Sequence, residues 1–161
     1  MAFRRTALQA IGGWDLNLAG GYASFEEMDV CLGLRRAGRL IRFHPHAVVV
    51  HGVNPRAGGM TRELGASPAY ARSYARNLAY ITLKHCKMTP STCWAVMFGA
   101  PVLNSARCVA PLVAGRRRLA LSLPRIGAAL GVWLGLAEGF WTYFKARPRG
   151  GRPFPPYERC S

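Results

Sequence analysis

The sequence predicts an α/β fold followed by a helical tail, on three observations. An acid-rich helix start at Glu26-Glu27 leads into an apolar-periodic stretch that stops at Gly38. An extended apolar segment and a short β-branched run, Ala47 to Val50, come next. A second helix start, Ser67-Pro68, then follows. Helix, tight turn and strand in that order point to a layered α/β or α+β arrangement rather than a bundle. Half of the 161 residues are hydrophobic, so the chain can bury a core.

Taken from the N-terminus, Met1 to Arg5 is too short to assign by periodicity and reads as the end of a strand. Thr6 is an N-cap candidate for a short helix over Ala7 to Ile11, and Gly12-Gly13 supplies the positive φ that ends it. Trp14 reads as a core or pocket wall. Gly20-Gly21 marks a loop before the acidic cluster, where Ser24 and Glu27 have the spacing of a capping box. Glu26, Glu27 and Asp29 account for three of seven acids. Two roles compete for them: charge at the positive end of a helix, or a general base at the mouth of a cleft. Arg35 and Arg36 close that helix, where cations suit its dipole.

Leu40 to Phe43 reads as extended, Pro45 breaks it, and Ala47 to Val50 reads as a buried strand ending on His51. His51 is either a ligand contact at a strand-to-loop junction or a structural histidine. His44 and His46 flank Pro45 without zinc-ligand spacing. In the helix from Ser67-Pro68, Tyr70, Tyr74, Leu78 and Ile81 form an apolar stripe that reads as core, and Asn77 beside it calls for a polar partner.

After Lys87 the character changes. Trp94 to Ala114 is apolar but broken by Pro101, Asn104, Arg107 and Pro111, which makes it a poor spanning helix. Arg116 to Arg118 precede a second apolar stretch, Leu119 to Phe144, whose uninterrupted part, Ile126 to Ala137, is too short to span. With Trp133, Phe140, Trp141, Tyr143 and Phe144 along it, that stretch reads either as an interfacial helix on anionic lipid or as a helical subdomain packed on the first domain. Lys145 to Ser161 reads as a disordered basic tail. The expected domains are therefore 1–88, 89–145 and 146–161.

Lys and Arg total 22, for a net charge of +15, which predicts an anionic partner: nucleic acid, an anionic membrane face or a phosphorylated ligand. Five cysteines with no C-x-x-C pair suggest reduced thiols, and the N-terminus lacks the apolar run of a secretory signal.

Three segments, AFRRTALQAIGGWD, FEEMDVCLGLRRAGRLIRFHPHAVVVH and YARSYARNLAYITLKH, resemble in order the C-terminal half of a family 2 inverting glycosyltransferase of the GT-A fold. The resemblance implies sugar transfer from a nucleotide-sugar donor to a lipid-linked or saccharide acceptor, in cell-surface polysaccharide or glycolipid synthesis. It assigns the catalytic base to Glu27, with Glu26 beside it, and a Mg²⁺ or Mn²⁺ ligand to His51. Trp14, Asp15, Asp29, Arg76 and Asn77 become structural support. It also implies a peripheral position at the cytoplasmic face of the membrane. The family's Asp-x-Asp motif and phosphate-cradling loop do not occur in these residues, so a missing N-terminal half or a partner would have to supply them, and the chain alone is expected to lack transferase activity. The competing expectations are a basic nucleic-acid-binding protein and a non-catalytic remnant.

Overall fold

The computed structural model describes residues 2–18, 25–42, 44–48, 67–86, 89–113 and 122–146, and every regular element among them is helical. The elements are α1 (Arg5–Ala10), a 3₁₀ turn (Leu16–Leu18), α2 (Glu26–Arg36), α3 (Pro68–His85), α4 (Pro90–Trp94), a π turn (Ala95–Gly99), α5 (Ala100–Val113) and α6 (Ser122–Ala146). The expected α/β architecture is overturned: no strand or sheet occurs among the described residues, so the protein does not have the GT-A fold. Leu40 and Ile41 are exposed coil, Pro45-His46 is a turn, and Val48 is 83% exposed. A strand needs a neighbour for its backbone N–H and C=O groups. Of Met1 to Arg5, the other strand candidate, Ala2 to Arg4 are coil and Arg5 opens α1, so no edge to pair with occurs among the described residues. Phe43, Val49, Val50 and His51 lie outside the described residues.

Local rules explain the helix ends. Ser67 Oγ accepts from the Tyr70 N–H at 3.2 Å and Pro68 takes the first helical position, so α3 is capped as its sequence directs. Gly38 adopts φ +68, with the Arg39 N–H on the Leu34 carbonyl and its own N–H on the Arg35 carbonyl, the paired bonds of a Schellman stop for α2. Two starts differ from expectation. α1 begins at Arg5 after Arg4, without a side-chain cap, so Thr6 does not serve as one. α2 begins after Phe25, which takes the left-handed conformation at φ 72 and sets its ring 5.0 Å from that of Tyr74. No side chain caps α2, and Ser24 lies outside the described residues.

The core is the packing of α3 on α6, with α5 against α6 beside it. On α6, Gly127, Gly131, Gly135 and Gly139 recur every fourth residue and face α3. A Cβ at Gly131 would stand 2.7 Å from the Pro68 carbonyl oxygen, and one at Gly135 or Gly139 would run into the carbonyl oxygen of Arg72 or Arg76. Across the interface α3 presents Ala71, Ala75 and Ala79, all buried. Two helices of small residues approach backbone to backbone, the arrangement of small-xxx-small pairs. This corrects part of the expected core stripe: Ile81 is buried, but Tyr70, Tyr74 and Leu78 are only partly so, because large side chains do not fit where the glycines bring the backbones together. Arg72 on α3 pairs with Glu138 on α6, so the acid within the apolar stretch joins the two helices, and α6 runs 25 residues without a break.

Pro101 does not break its helix either. Proline lacks an N–H and its ring crowds the carbonyl four residues back, here Met97, and the chain widens into the π turn Ala95–Gly99 around that point. The helical run Pro90–Ala110 is thereby continuous over 21 residues, and by length and composition it could cross a membrane, contrary to expectation.

Gly135→Ala tests the backbone approach. In an open helix it would gain about 1 kcal/mol of helix propensity. Here the methyl must displace the Arg72 carbonyl, so urea unfolding followed by circular dichroism should show a net loss of about 1–3 kcal/mol.

Candidate functional site

The sequence-predicted residues separate into two groups. Asp15, Asp29, Trp14, Asn77 and Arg76 lie on or beside a polar cluster where the N-terminal segment and α2 meet α3. Glu27 does not: it is exposed on the first turn of α2, and Glu26 next to it is half-buried with Oε2 lacking a hydrogen-bond partner. His51, the metal ligand that the resemblance assigns, lies outside the described residues.

The cluster is built around Lys84, which sequence reasoning missed. Its Nζ donates to Asp15 Oδ2 at 2.7 Å and contacts both Asp29 oxygens, Oδ1 at 2.7 Å and Oδ2 at 2.8 Å. All three side chains are nearly buried. Asp15 also accepts from Tyr80 Oη at 2.7 Å and from the Asn17 backbone N–H at 2.9 Å and its Nδ2 at 2.8 Å. His85 Nε2 donates to Asp29 Oδ1 at 2.6 Å, and Arg36 Nη2 donates to the Lys84 and His85 carbonyls at the end of α3. Asn77 accepts from Arg76 Nη1 at 2.9 Å and reaches the Leu18 carbonyl at 3.5 Å, tying the 3₁₀ turn to α3. Trp14 stays 46% exposed, edge-on to Phe3, so it is a rim residue rather than core.

Electrostatics follow from burial. Burial alone would raise the Asp15 carboxyl, but hydrogen bonds from Lys84, Tyr80 and the Asn17 backbone, with the charge of Lys84, hold it down at about 2. Burial opposes Asp29 in the same way, and the bonds from His85 and Lys84 hold it below the ordinary carboxylate range. Burial lowers His85; the Asp29 carboxylate works against this and the nearby Arg36 charge adds to it, so the imidazole is neutral with its proton on Nε2. Burial, then the bond to Asp15, raises Tyr80, which stays a donor.

A pocket of about 440 Å³ opens against this cluster, with Gly12, Gly13 and Trp14 on its other wall. The carboxylates there do not fit the divalent cation implied by the resemblance. Their oxygens already close on an ammonium group, and no set of three His, Cys, Asp or Glu residues among those described could hold a metal. His44 and His46 are exposed neighbours at 5.9 Å between ring centroids, with no third ligand. The cluster acts as a clamp: it joins three segments remote in sequence and satisfies its own charges.

A second feature is apolar. Leu123, Ile126, Leu130, Trp133, Leu134, Trp141 and Phe144 on α6 are 41–74% exposed and recur at helical spacing, a stripe of about 100°. Trp94, Met97, Phe98, Val102 and Leu103 are exposed on the run from α4 to α5.

The clamp predicts acid sensitivity. Asp15 has a folded value below its ordinary 3.8, so the stability it contributes, about 2 kcal/mol, is present above pH 3.8 and lost as pH falls to about 2. His85 is depressed below 6.5, so the folded state binds its proton less readily and stability declines as pH drops below that value. Urea midpoints measured from pH 7 to pH 2 should fall monotonically. Lys84→Met leaves two buried carboxylates facing each other, and should cost about 3–5 kcal/mol at pH 7, with a smaller loss in acid.

No protein-family model, curated protein or solved structure matches the chain.

Proposed function

We propose that this protein associates with an anionic lipid bilayer, lying on its surface through the apolar faces of α6 and of the α4 to α5 run. The observation that carries this is the α6 stripe: seven large apolar side chains, two of them tryptophan, on one face of a helix whose opposite face is buried. Isolated exposed apolar residues are ordinary, but a continuous aromatic-bearing stripe marks an interaction surface. The formal charge of +15 supplies the electrostatic complement, since each Lys or Arg near an anionic leaflet adds about 1 kcal/mol of attraction.

An in-plane position is favoured over a crossing one for α6. It is packed along α3, which carries Arg72, Arg76 and Lys84, and taking α6 through hydrocarbon would carry those groups with it. Arg107, exposed on α5, is likewise suited to headgroups. A peripheral site on the inner leaflet fits this chemistry, and lipid-linked molecules would be the substrates or partners within reach.

Co-sedimentation of the full chain with vesicles tests the proposal. Binding should be strong to vesicles containing phosphatidylglycerol, weak to pure phosphatidylcholine, and reduced but not abolished by 0.5 M salt. Leu130→Glu and Trp141→Glu sit on the exposed face, so each should leave the circular dichroism spectrum intact and weaken binding by about tenfold or more. Indifference to both variants, or tighter salt-dependent binding to DNA than to anionic vesicles, would replace the lipid partner with nucleic acid.

A further inference from the structure

Between α3, the π turn, α5 and α6 lies a cleft of about 230 Å³ whose walls are almost wholly apolar, with Leu78, Val96, Pro101, Val132 and Leu136 among them. Two polar side chains reach it. Thr82 on α3 spends its hydroxyl on the Leu78 carbonyl at 2.7 Å. Asn104 on α5 is different: it is 94% buried and makes no hydrogen bond to any described residue. Neither atom of that amide is sealed from water without a partner, so the access it keeps is to the cleft it lines, where a bound polar group could reach it. The cleft it lines is also bounded by the π turn, and such turns are frequent at functional sites. Ligand sites commonly combine apolar walls with a small number of placed polar groups, and this cleft has that composition on a small scale.

We infer that this cleft binds a single aliphatic chain bearing a hydroxyl or carbonyl group, with the chain between α3 and α6 and the polar group on the Asn104 amide. The volume is too small for a polycyclic or multi-chain ligand. The amide offers two N–H donors and a carbonyl acceptor, so it serves an alcohol or a carbonyl equally well, while none of the described residues that line the cleft carries a charge to hold a phosphate or an ammonium head. The π turn creates the site: an unbroken α-helix at Ala95–Gly99 would not carry the offset that Pro101 imposes beside it. This assignment is independent of the surface on which the protein lies, because a chain of this chemistry is offered both by a bilayer lipid and by a free alcohol or acid.

Photolabelling distinguishes the sources and tests the site. The full chain is irradiated with a diazirine-bearing decanol, free in solution in one arm and incorporated in phosphatidylcholine vesicles in the other, and adducts are mapped by peptide mass spectrometry. A diazirine-bearing decane is the control for apolar contact alone. Adducts on the cleft walls in either arm are expected, with the arm naming the source. Asn104→Leu should reduce cleft labelling by the alcohol about tenfold and leave labelling by the alkane unchanged. Ala100→Leu, which narrows the cleft from one wall, should reduce both. Circular dichroism spectra and thermal midpoints of both variants, taken without ligand, check that each is folded. Adducts confined to the exposed α6 stripe in both arms, or equal cleft labelling of parent and Asn104→Leu by the alcohol, would overturn the inference.

Discussion

The close approach of α6 to α3 is the constraint on which the rest of this structure depends. Four glycines at intervals of one helical turn remove every Cβ from the contact line, and the carbonyl oxygens of Pro68, Arg72 and Arg76 occupy the space. Alanines at positions 71, 75 and 79 complete the interface from the other side. Such a contact gains little from transfer of large side chains out of water. It gains from dispersion between closely packed backbones, and from the low side-chain entropy cost of fixing glycine and alanine. Because the interface uses the small residues, the large apolar residues of α6 remain on the other face, and this leaves the stripe that we assign to lipid.

α3 then acts as the hub. Its small-residue face holds α6, while Asn77, Tyr80, Lys84 and His85 hold the N-terminal segment and α2. Apolar packing accompanies the clamp: Ile11, just after α1, lies against Gly33 of α2, and Leu18, Val30 and Leu34 are buried. A buried ion pair costs desolvation, and in isolation it is weak evidence of stability. Here the ammonium is shared by two carboxylates whose four oxygens are all bonded, so the geometry repays much of that cost, while His85 Nδ1 beside them is buried without a partner.

The acids are scarce in this chain and their placement has an electrostatic consequence. Asp15 and Asp29 are spent on Lys84, and Glu138 on Arg72. These three acids work as internal staples between elements, while Arg4, Arg5, Arg35, Arg39, Arg42 and Arg107 are exposed. That distribution supports the anionic surface we propose as partner.

What the sequence by itself determined is local. Ser67-Pro68 opens α3, Gly38 closes α2, and Gly12 and Gly13 take positive φ after α1, since each depends only on the backbone freedom or capping chemistry of a few adjacent residues. The glycine spacing at 127, 131, 135 and 139 is also legible in the sequence as a small-xxx-small pattern, but the helix it faces is not. The tertiary structure decided what depends on partners remote in the chain. Ala47 and Val48, the described start of the β-branched run, are coil, with no strand among the described residues beside them. Pro101 is absorbed by a π turn, where a helix break was expected. Asp15 and Asp29 become halves of one clamp only because Lys84, 55 residues beyond the second of them, lies between them. Periodicity and capping act over one or two helical turns; which faces meet is settled by volume and charge across the whole fold, and no single stretch contains that information.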